Sequence, residues 1–359
     1  MGNAVRAMGL WSPAPRRIAV FRALNLGDFL CTVPALRALR RAAPRARITL
    51  IGLEGMRPCV GRFGRYIDEF VDFPGDPAFP EQPARLSALP AFYGDMRARR
   101  FDLALQMHGS GARSNAIVRN LGALQWAGFV PDRIRKTPLL MPWPDTLPEV
   151  RRYLALLEHL GLPKGEDAAL ELPLDARDRA RAAELASGMR LDPARTVFLH
   201  PGARLASRRW PPARFAAVGR RLAEEGWRIA VTGSEAERPM AAGLAAAIGR
   251  SAVDLSGLTD LGMLAGLLER ARLLICNDTG VSHVAAAVRA PSVVIASGSD
   301  VGRWAPLDTS LHTVLHVDTP CRPCAHAECP VPGHPCATGV GVEQVVEAAL
   351  RRLAPGARQ

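Results

Sequence analysis

Residues 196–211, TVFLHPGARLASRRWP, decide the fold. Thr196–His200 is a short apolar run that suits a strand. The proline and glycine of His200-Pro201-Gly202 end it, and Trp210-Pro211 opens a helical stretch over 212–225. The same strand, loop and helix recur downstream. Trp227–Thr232 (WRIAVT) precedes a helix over 235–248, Ala252–Leu255 one over 260–270, and Leu273–Cys276 one over 281–288, before a last run at Ser292–Ala296. Upstream, Arg17–Phe21 (RIAVF) leads into a segment where Leu30, Val33, Leu36 and Leu39 recur at three-residue steps. Further strand candidates follow at Arg47–Gly52, Asp68–Phe73 and Phe101–Met107. Such alternation predicts parallel sheets wrapped by helices, here in two similar α/β halves.

The proline-rich stretch 131–148 interrupts the pattern. An amphipathic helix over Glu149–Leu160 and a polar stretch around 161–176 follow, and the boundary is placed near 175. The expected organisation is a loose leader over 1–16, a first domain over 17–175 and a second over 176–341. The second carries a cysteine-rich loop, 321–336, and a helix and tail over 342–359 end the chain. The helix Val342–Leu353 is expected to pack back across the domains.

With 359 residues, 48% hydrophobic and 22% charged, the chain has the length of two ordinary domains, and its composition excludes disordered and fibrous classes. No stretch approaches the roughly 18 consecutive apolar residues of a membrane span, and the first residues lack the apolar core of a secretory signal. A cytoplasmic location is expected. Of the 46 basic residues only Lys136 and Lys164 are lysines. Residues 1–66 hold 12 arginines against Asp28 and Glu54 alone, so most of the net charge of +12 lies at the N-terminal end. That is either a solvated basic face or a surface for an anionic partner. Neither an aromatic platform nor a nucleic-acid motif accompanies the charge, so no nucleic acid is expected. There is no G-x-x-x-x-G-K-[ST]. The nearest approach to G-x-G-x-x-G, at 109–114, follows the fourth strand candidate and lacks the third glycine. P-loop nucleotidases and dinucleotide dehydrogenases are therefore disfavoured.

Three motifs carry chemistry. In RALNLGD, Arg22 to Asp28, Gly27 permits close backbone approach and Asp28 is either a helix cap or a general base. In HPGARLASRRWP, Arg204, Arg208 and Arg209 suit phosphate oxygens. In NDTGVSHVAAA, Asn277 to Ala287, small residues meet a helix N-terminus, whose free N–H groups suit a pyrophosphate. Cys31, Cys59 and Cys276 read as buried thiols. Cys321, Cys324, Cys329 and Cys336, spaced C-x2-C-x4-C-x6-C, could bind zinc or an iron–sulfur cluster, or pack as thiols in an ordered loop.

Taken together, R-x4-G-D, H-P-G-A…R-R-W-P, N-D-T-G-x-x-H and the cysteine-rich tail resemble glycosyltransferase family 9, the bacterial ADP-heptose:lipopolysaccharide heptosyltransferases. The resemblance spans Arg17 to Leu353. It implies a GT-B fold of two Rossmann-like doubly wound domains facing across a cleft, acceptor on the first and nucleotide sugar on the second. It implies inverting transfer of a heptosyl unit from ADP-heptose to an inner-core sugar of lipopolysaccharide. Asp28 would be the base and Arg208 the stabiliser of the leaving pyrophosphate, where the family usually has lysine. Arg204, Arg209, Glu237, Asn277, Asp278, Thr279, Gly280 and His283 would hold the donor, with Glu235 an alternative to Glu237. Arg22, Gly27, Arg57, Arg62 and Arg65 would face the acceptor and an anionic membrane surface, placing the protein peripherally on the inner membrane. No cofactor is required for transfer on this reading, apart from a structural zinc that the four clustered cysteines could hold.

Overall fold

The computed structural model describes residues 11, 13–132, 134 and 136–354, so most of the expected leader lies outside the described residues. The chain divides into two compact units, Met1–Ala168 and Ala169–Gln359.

In the first unit the order is β1 (Arg17–Phe21), α1 (Leu26–Leu30), α2 (Val33–Ala42), β2 (Arg47–Gly52), α3 (Arg57–Val60), β3 (Glu69–Asp72), α4 (Leu89–Ala98), β4 (Leu103–Gln106), α5 (Ser114–Asn120), β5 (Gln125–Val130), β6 (Leu140–Pro142) and α6 (Glu149–His159). All neighbouring strands are parallel, in the order β3-β2-β1-β4-β5-β6. The central strands are apolar along their length because helices cover both faces, as parallel sheets require. Ile18, Ala19, Val20 and Phe21 are fully buried. The unit ends before the expected boundary near 175. Arg37 and Arg41 of α2 reach forward to the Asp167 carbonyl (2.7 Å) and to Glu166, tying that segment to the first sheet.

The second unit runs α7 (Ala176–Gly188), β7 (Thr196–His200), α8 (Pro212–Glu224), β8 (Arg228–Val231), α9 (Arg238–Ile248), β9 (Ala252–Asp254), α10 (Leu261–Arg270), β10 (Leu273–Asn277), α11 (Gly280–Ala287), β11 (Ser292–Ile295), α12 (Val301–Trp304), β12 (His312–Leu315), α13 (Pro335–Thr338) and α14 (Val342–Leu353). Its parallel sheet has the order β12-β11-β10-β7-β8-β9. Trp210 is fully buried in the core beside Phe215 and donates its indole N–H to the Val340 carbonyl at 3.0 Å. Helix α14 packs within this unit on α8, β10 and β11. Val345, Val346, Ala349 and Leu353 complete the core that Trp210 anchors.

In each sheet the chain winds outward in both directions from a central strand. The reversals fall between β1 and β4 and between β7 and β10. Open parallel sheets bind ligands at the carboxyl ends of the strands flanking such a reversal. The loops that leave β1, β4, β7 and β10 are therefore where function is sought. No helix among the described residues is long and apolar enough to cross a membrane.

Candidate active site

In the first unit the loop leaving β1 places Asp28 in the first turn of α1, where Asn25 rather than Asp28 is the cap residue. Arg22, at the end of β1, lies under it. One terminal nitrogen of Arg22 donates to the Met107 carbonyl at 2.8 Å. The other reaches the Asp28 carbonyl at 2.9 Å, Asp28 Oδ1 at 3.4 Å and Glu149 Oε1 at 3.2 Å. The Arg22 side chain is 0% exposed, so the acceptor contact expected of it is corrected to an internal one. Its guanidinium lies 4.6 Å from the Tyr153 ring centre. Burial disfavours its charge, yet Tyr153, Asp28 and Glu149 outweigh that and hold it above the ordinary arginine value. Glu149 also accepts from Arg152 at 3.2 Å and from the Tyr153 hydroxyl. Asp28 keeps 26% side-chain exposure in a cluster that is otherwise closed.

From the end of β4, His108 stacks on Phe21 and Phe79, and its Nδ1 accepts the Ala23 N–H at 3.3 Å. Burial, then the Arg22 charge, push its pKa down to about 3, so the ring is neutral. Gly27 is a helical residue whose carbonyl accepts from Cys31. Arg57, Arg62 and Arg65 gather in the short turns after β2. Arg57 pairs with Asp72 at 2.6 Å and lies over Phe70, and Arg65 lies over Tyr66. Reading the sequence missed His108, Glu149, Arg152 and Tyr153. No spacing rule links them to Arg22, and Glu149 looks like an ordinary acid at a helix start.

In the second unit the loop leaving β7 approaches Glu237, which follows β8. Glu237 accepts from the Ser234 N–H and hydroxyl, both at 2.8 Å, and a Cβ on Gly202 would come within 2.0 Å of its Oε1. Any larger residue there would displace the Glu237 carboxylate from its Ser234 bonds. Burial tends to raise the Glu237 pKa, but the Ser234 bonds, His200 and Arg209 bring it below the usual carboxylate range. Glu235 instead pairs with Arg238 on the surface. Arg209 donates to the Ala203 carbonyl at 2.8 Å, and Arg204 is exposed.

Arg208 is half-buried and donates to the Cys324 carbonyl at 2.5 Å and the Ser297 carbonyl at 3.4 Å. Burial lowers its pKa, and Cys324, Asp278 and Cys336 oppose that, so Asp278 lies within reach of its charge. Thr279 caps α11 through its backbone position, without a side-chain bond, and Gly280 is the first helical residue. His283, a turn further on, is buried near Trp304. Asn277 departs from its expected donor contact. It is fully buried, accepts the Trp210 N–H at 2.9 Å and donates to the carbonyls of Pro201 and Gly202 at 2.7 and 3.3 Å. Its amide joins the loop that leaves β7 to the end of β10.

All seven cysteines are free thiols. Burial pushes the Cys336 thiol up, and the nearby Cys321, Cys329 and Cys324 add to that. Among the described residues no group of three or more His, Cys, Asp or Glu is arranged to hold a metal ion. Local bonds hold the loop instead: Cys324 N–H to the Gly298 carbonyl, Ser207 N–H to the Ala327 carbonyl, and His334 Nε2 to the Ser207 carbonyl at 3.0 Å. The loop thereby clamps Arg208 and its neighbour.

Two doubly wound parallel sheets in one chain, each with polar residues in the loops at its reversal of strand order, are the two halves of a GT-B-type fold. The chain belongs to glycosyltransferase family 9 (heptosyltransferase), whose model matches residues 91–334. A lipopolysaccharide heptosyltransferase 1 from Pseudomonas aeruginosa is 28% identical over 334 residues, covering 87% of each chain. A lipooligosaccharide heptosyltransferase 2 from Haemophilus ducreyi is 30% identical over 160 residues, 41% of this chain and 45% of its own. A family 9 glycosyl transferase from Veillonella parvula shares the fold with a TM-score of 0.78 at 23% identity, over 94% of this chain and 97% of that one. The ADP-heptose lipopolysaccharide heptosyltransferase II of E. coli does so with a TM-score of 0.71 at 20% identity, over 94% and 98%.

Proposed function

We propose that this enzyme transfers a heptosyl unit from ADP-heptose to an inner-core sugar of lipopolysaccharide, with inversion at the anomeric carbon. The observation that carries the proposal is Asp28, the solvent-reaching carboxylate of an otherwise closed charge cluster at the carboxyl end of β1. Asp28 takes the proton of the acceptor hydroxyl as that oxygen attacks the anomeric carbon, the work of a general base. The bond from that carbon to the pyrophosphate breaks through an oxocarbenium-like state, and ADP leaves with the electron pair.

Negative charge grows on the leaving group, and fixed donors must meet it. Arg208, with Arg204 and Arg209 in the same loop and the N–H groups of the first turn of α11, which the Thr279 side chain does not cap, supplies them. Glu237 accepts from the ribose hydroxyls. Since these cations and N–H groups neutralise the pyrophosphate, transfer proceeds without a divalent metal and persists in EDTA. Arg57, Arg62 and Arg65 meet phosphorylated core and lipid anions at the cytoplasmic face of the inner membrane. The names of the relatives, heptosyltransferases of lipopolysaccharide and lipooligosaccharide, support this reading.

The test is ADP release from ADP-heptose with lipopolysaccharide acceptors of graded core length, comparing wild type with Asp28→Ala. Release with one acceptor length, lost in the variant, is expected. If every acceptor fails while ADP still binds, the sugar assignment is wrong.

A further inference from the structure

We infer that Glu149, acting through Arg22, is a positioning residue that orients Asp28 and sets how readily it takes a proton; this rests on the reading of Asp28 as the base. A single nitrogen of Arg22 holds both the backbone carbonyl and the carboxylate of Asp28, at 2.9 and 3.4 Å, so it fixes the turn as well as the side chain. That nitrogen is in turn held by Glu149 Oε1 at 3.2 Å, across 127 positions of sequence. Glu149 cannot swing away. Its Oε2 accepts from Arg152, which is anchored on the carbonyls of Leu147 (2.8 Å) and Asp145 (2.7 Å), and its Oε1 also takes the Tyr153 hydroxyl.

Two carboxylates and two guanidiniums make the cluster neutral, and its members differ in exposure. Arg22 and Glu149 are 0% exposed and Arg152 2%, against 26% for Asp28. In this low-dielectric setting charges act strongly on one another. Arg22 alone would hold Asp28 ionised but a poor proton acceptor. Glu149, sharing the same guanidinium, withdraws part of that charge and leaves Asp28 a stronger base. Tyr153 on α6, Cys31 beyond α1 and the neutral His108 beyond β4 also face Arg22, and none of these three is a carboxylate.

The experiment uses the full chain with two variants, Glu149→Gln and the charge-balanced double change Glu149→Gln/Arg152→Met, which protects against loss of folding. Two quantities are read: the pH dependence of transfer, and the titration of the Asp28 carboxyl by 13C NMR, assigned with Asp28→Asn. In Glu149→Gln the Asp28 titration and the acid limb of kcat are expected to move to lower pH by about one unit, and in the double variant by less, because loss of the Arg152 charge opposes the shift. We expect kcat to fall about tenfold while the donor KM stays within about twofold. An Asp28 titration that does not move overturns the inference, whichever sugar the enzyme transfers and whatever happens to thermal stability. Wild-type transfer by Asp28→Ala would instead overturn the base reading, a different result from a different variant.

Discussion

The two sheets differ in what their polar side chains hold. Around Asp28 the side chains of Arg22, Glu149, Arg152 and Tyr153 bond one another, although the two arginines also reach backbone carbonyls. In the second unit the side chains mostly hold backbone. Arg208 reaches the carbonyls of Ser297 and Cys324, Arg209 that of Ala203, and Asn277 those of Pro201 and Gly202. On the proposed function the difference fits the two tasks. A proton would move to a single atom, whose affinity is set by nearby charges, whereas the charge of a pyrophosphate is spread over many oxygens and would be met by many fixed dipoles.

If this contrast holds, damage to the first site is abrupt and damage to the second is graded. Asp28→Asn keeps the shape of the turn and removes the base. It should lower kcat by about 10²–10⁴ with ADP affinity intact by calorimetry; an equal loss of ADP affinity would break the contrast. Arg208→Ala should cost about 10–10² in kcat, since other donors remain. Arg208→Lys should recover most of that, because a point charge suits a phosphate; failure of the lysine would show that the clamp on Cys324 matters more than charge.

Acid sensitivity compares the units more finely. His108 in the first is pushed down to about 3 and His312 in the second to about 4, both by burial. Each is neutral when folded, while the unfolded chain takes up a proton near 6.5. Their stabilising effect is therefore complete above about pH 6.5 and is lost as pH falls toward those values, at about 1.4 kcal/mol per unit and histidine. Urea unfolding between pH 7 and 5 should show that slope, and His108→Gln should remove its share. The smallest effect is expected from the triple alanine variant of Arg57, Arg62 and Arg65. It should raise acceptor KM several-fold in a salt-sensitive way, with kcat unchanged, because Arg57 is already paired with Asp72. Unchanged KM would remove the acceptor face from this segment.

Much of this was legible in the sequence where local chemistry repeats itself. RIAVF, RITLIG, TVFLH and the terminal helix Val342–Leu353 form the elements their apolar patterns predict. Strand β5 was hidden by Gly128, which is there because a Cβ would lie 2.5 Å from Gln106 Cβ on the adjoining strand. Strand β6, ending in Pro142, survives as an edge strand, where a missing N–H is tolerated. Helix α7, ARDRARAAELASG, buries little beyond Ala182, Ala186 and Asp178, so it has almost no apolar stripe to read. Its capping box, Asp175 with Asp178, was the available signal. At the site, motif residues at strand ends could be found by spacing. Their supports could not, since the pairing of Arg22 with Glu149 exists only after the sheet has formed.

Asn277 bears on the entropy of any ligand taken up here. Its one amide bonds the loop that leaves β7 to the end of β10 without any ligand present. If the proposed donor binds at these loops, it meets a surface ordered during folding, and little of its affinity is lost in arranging them.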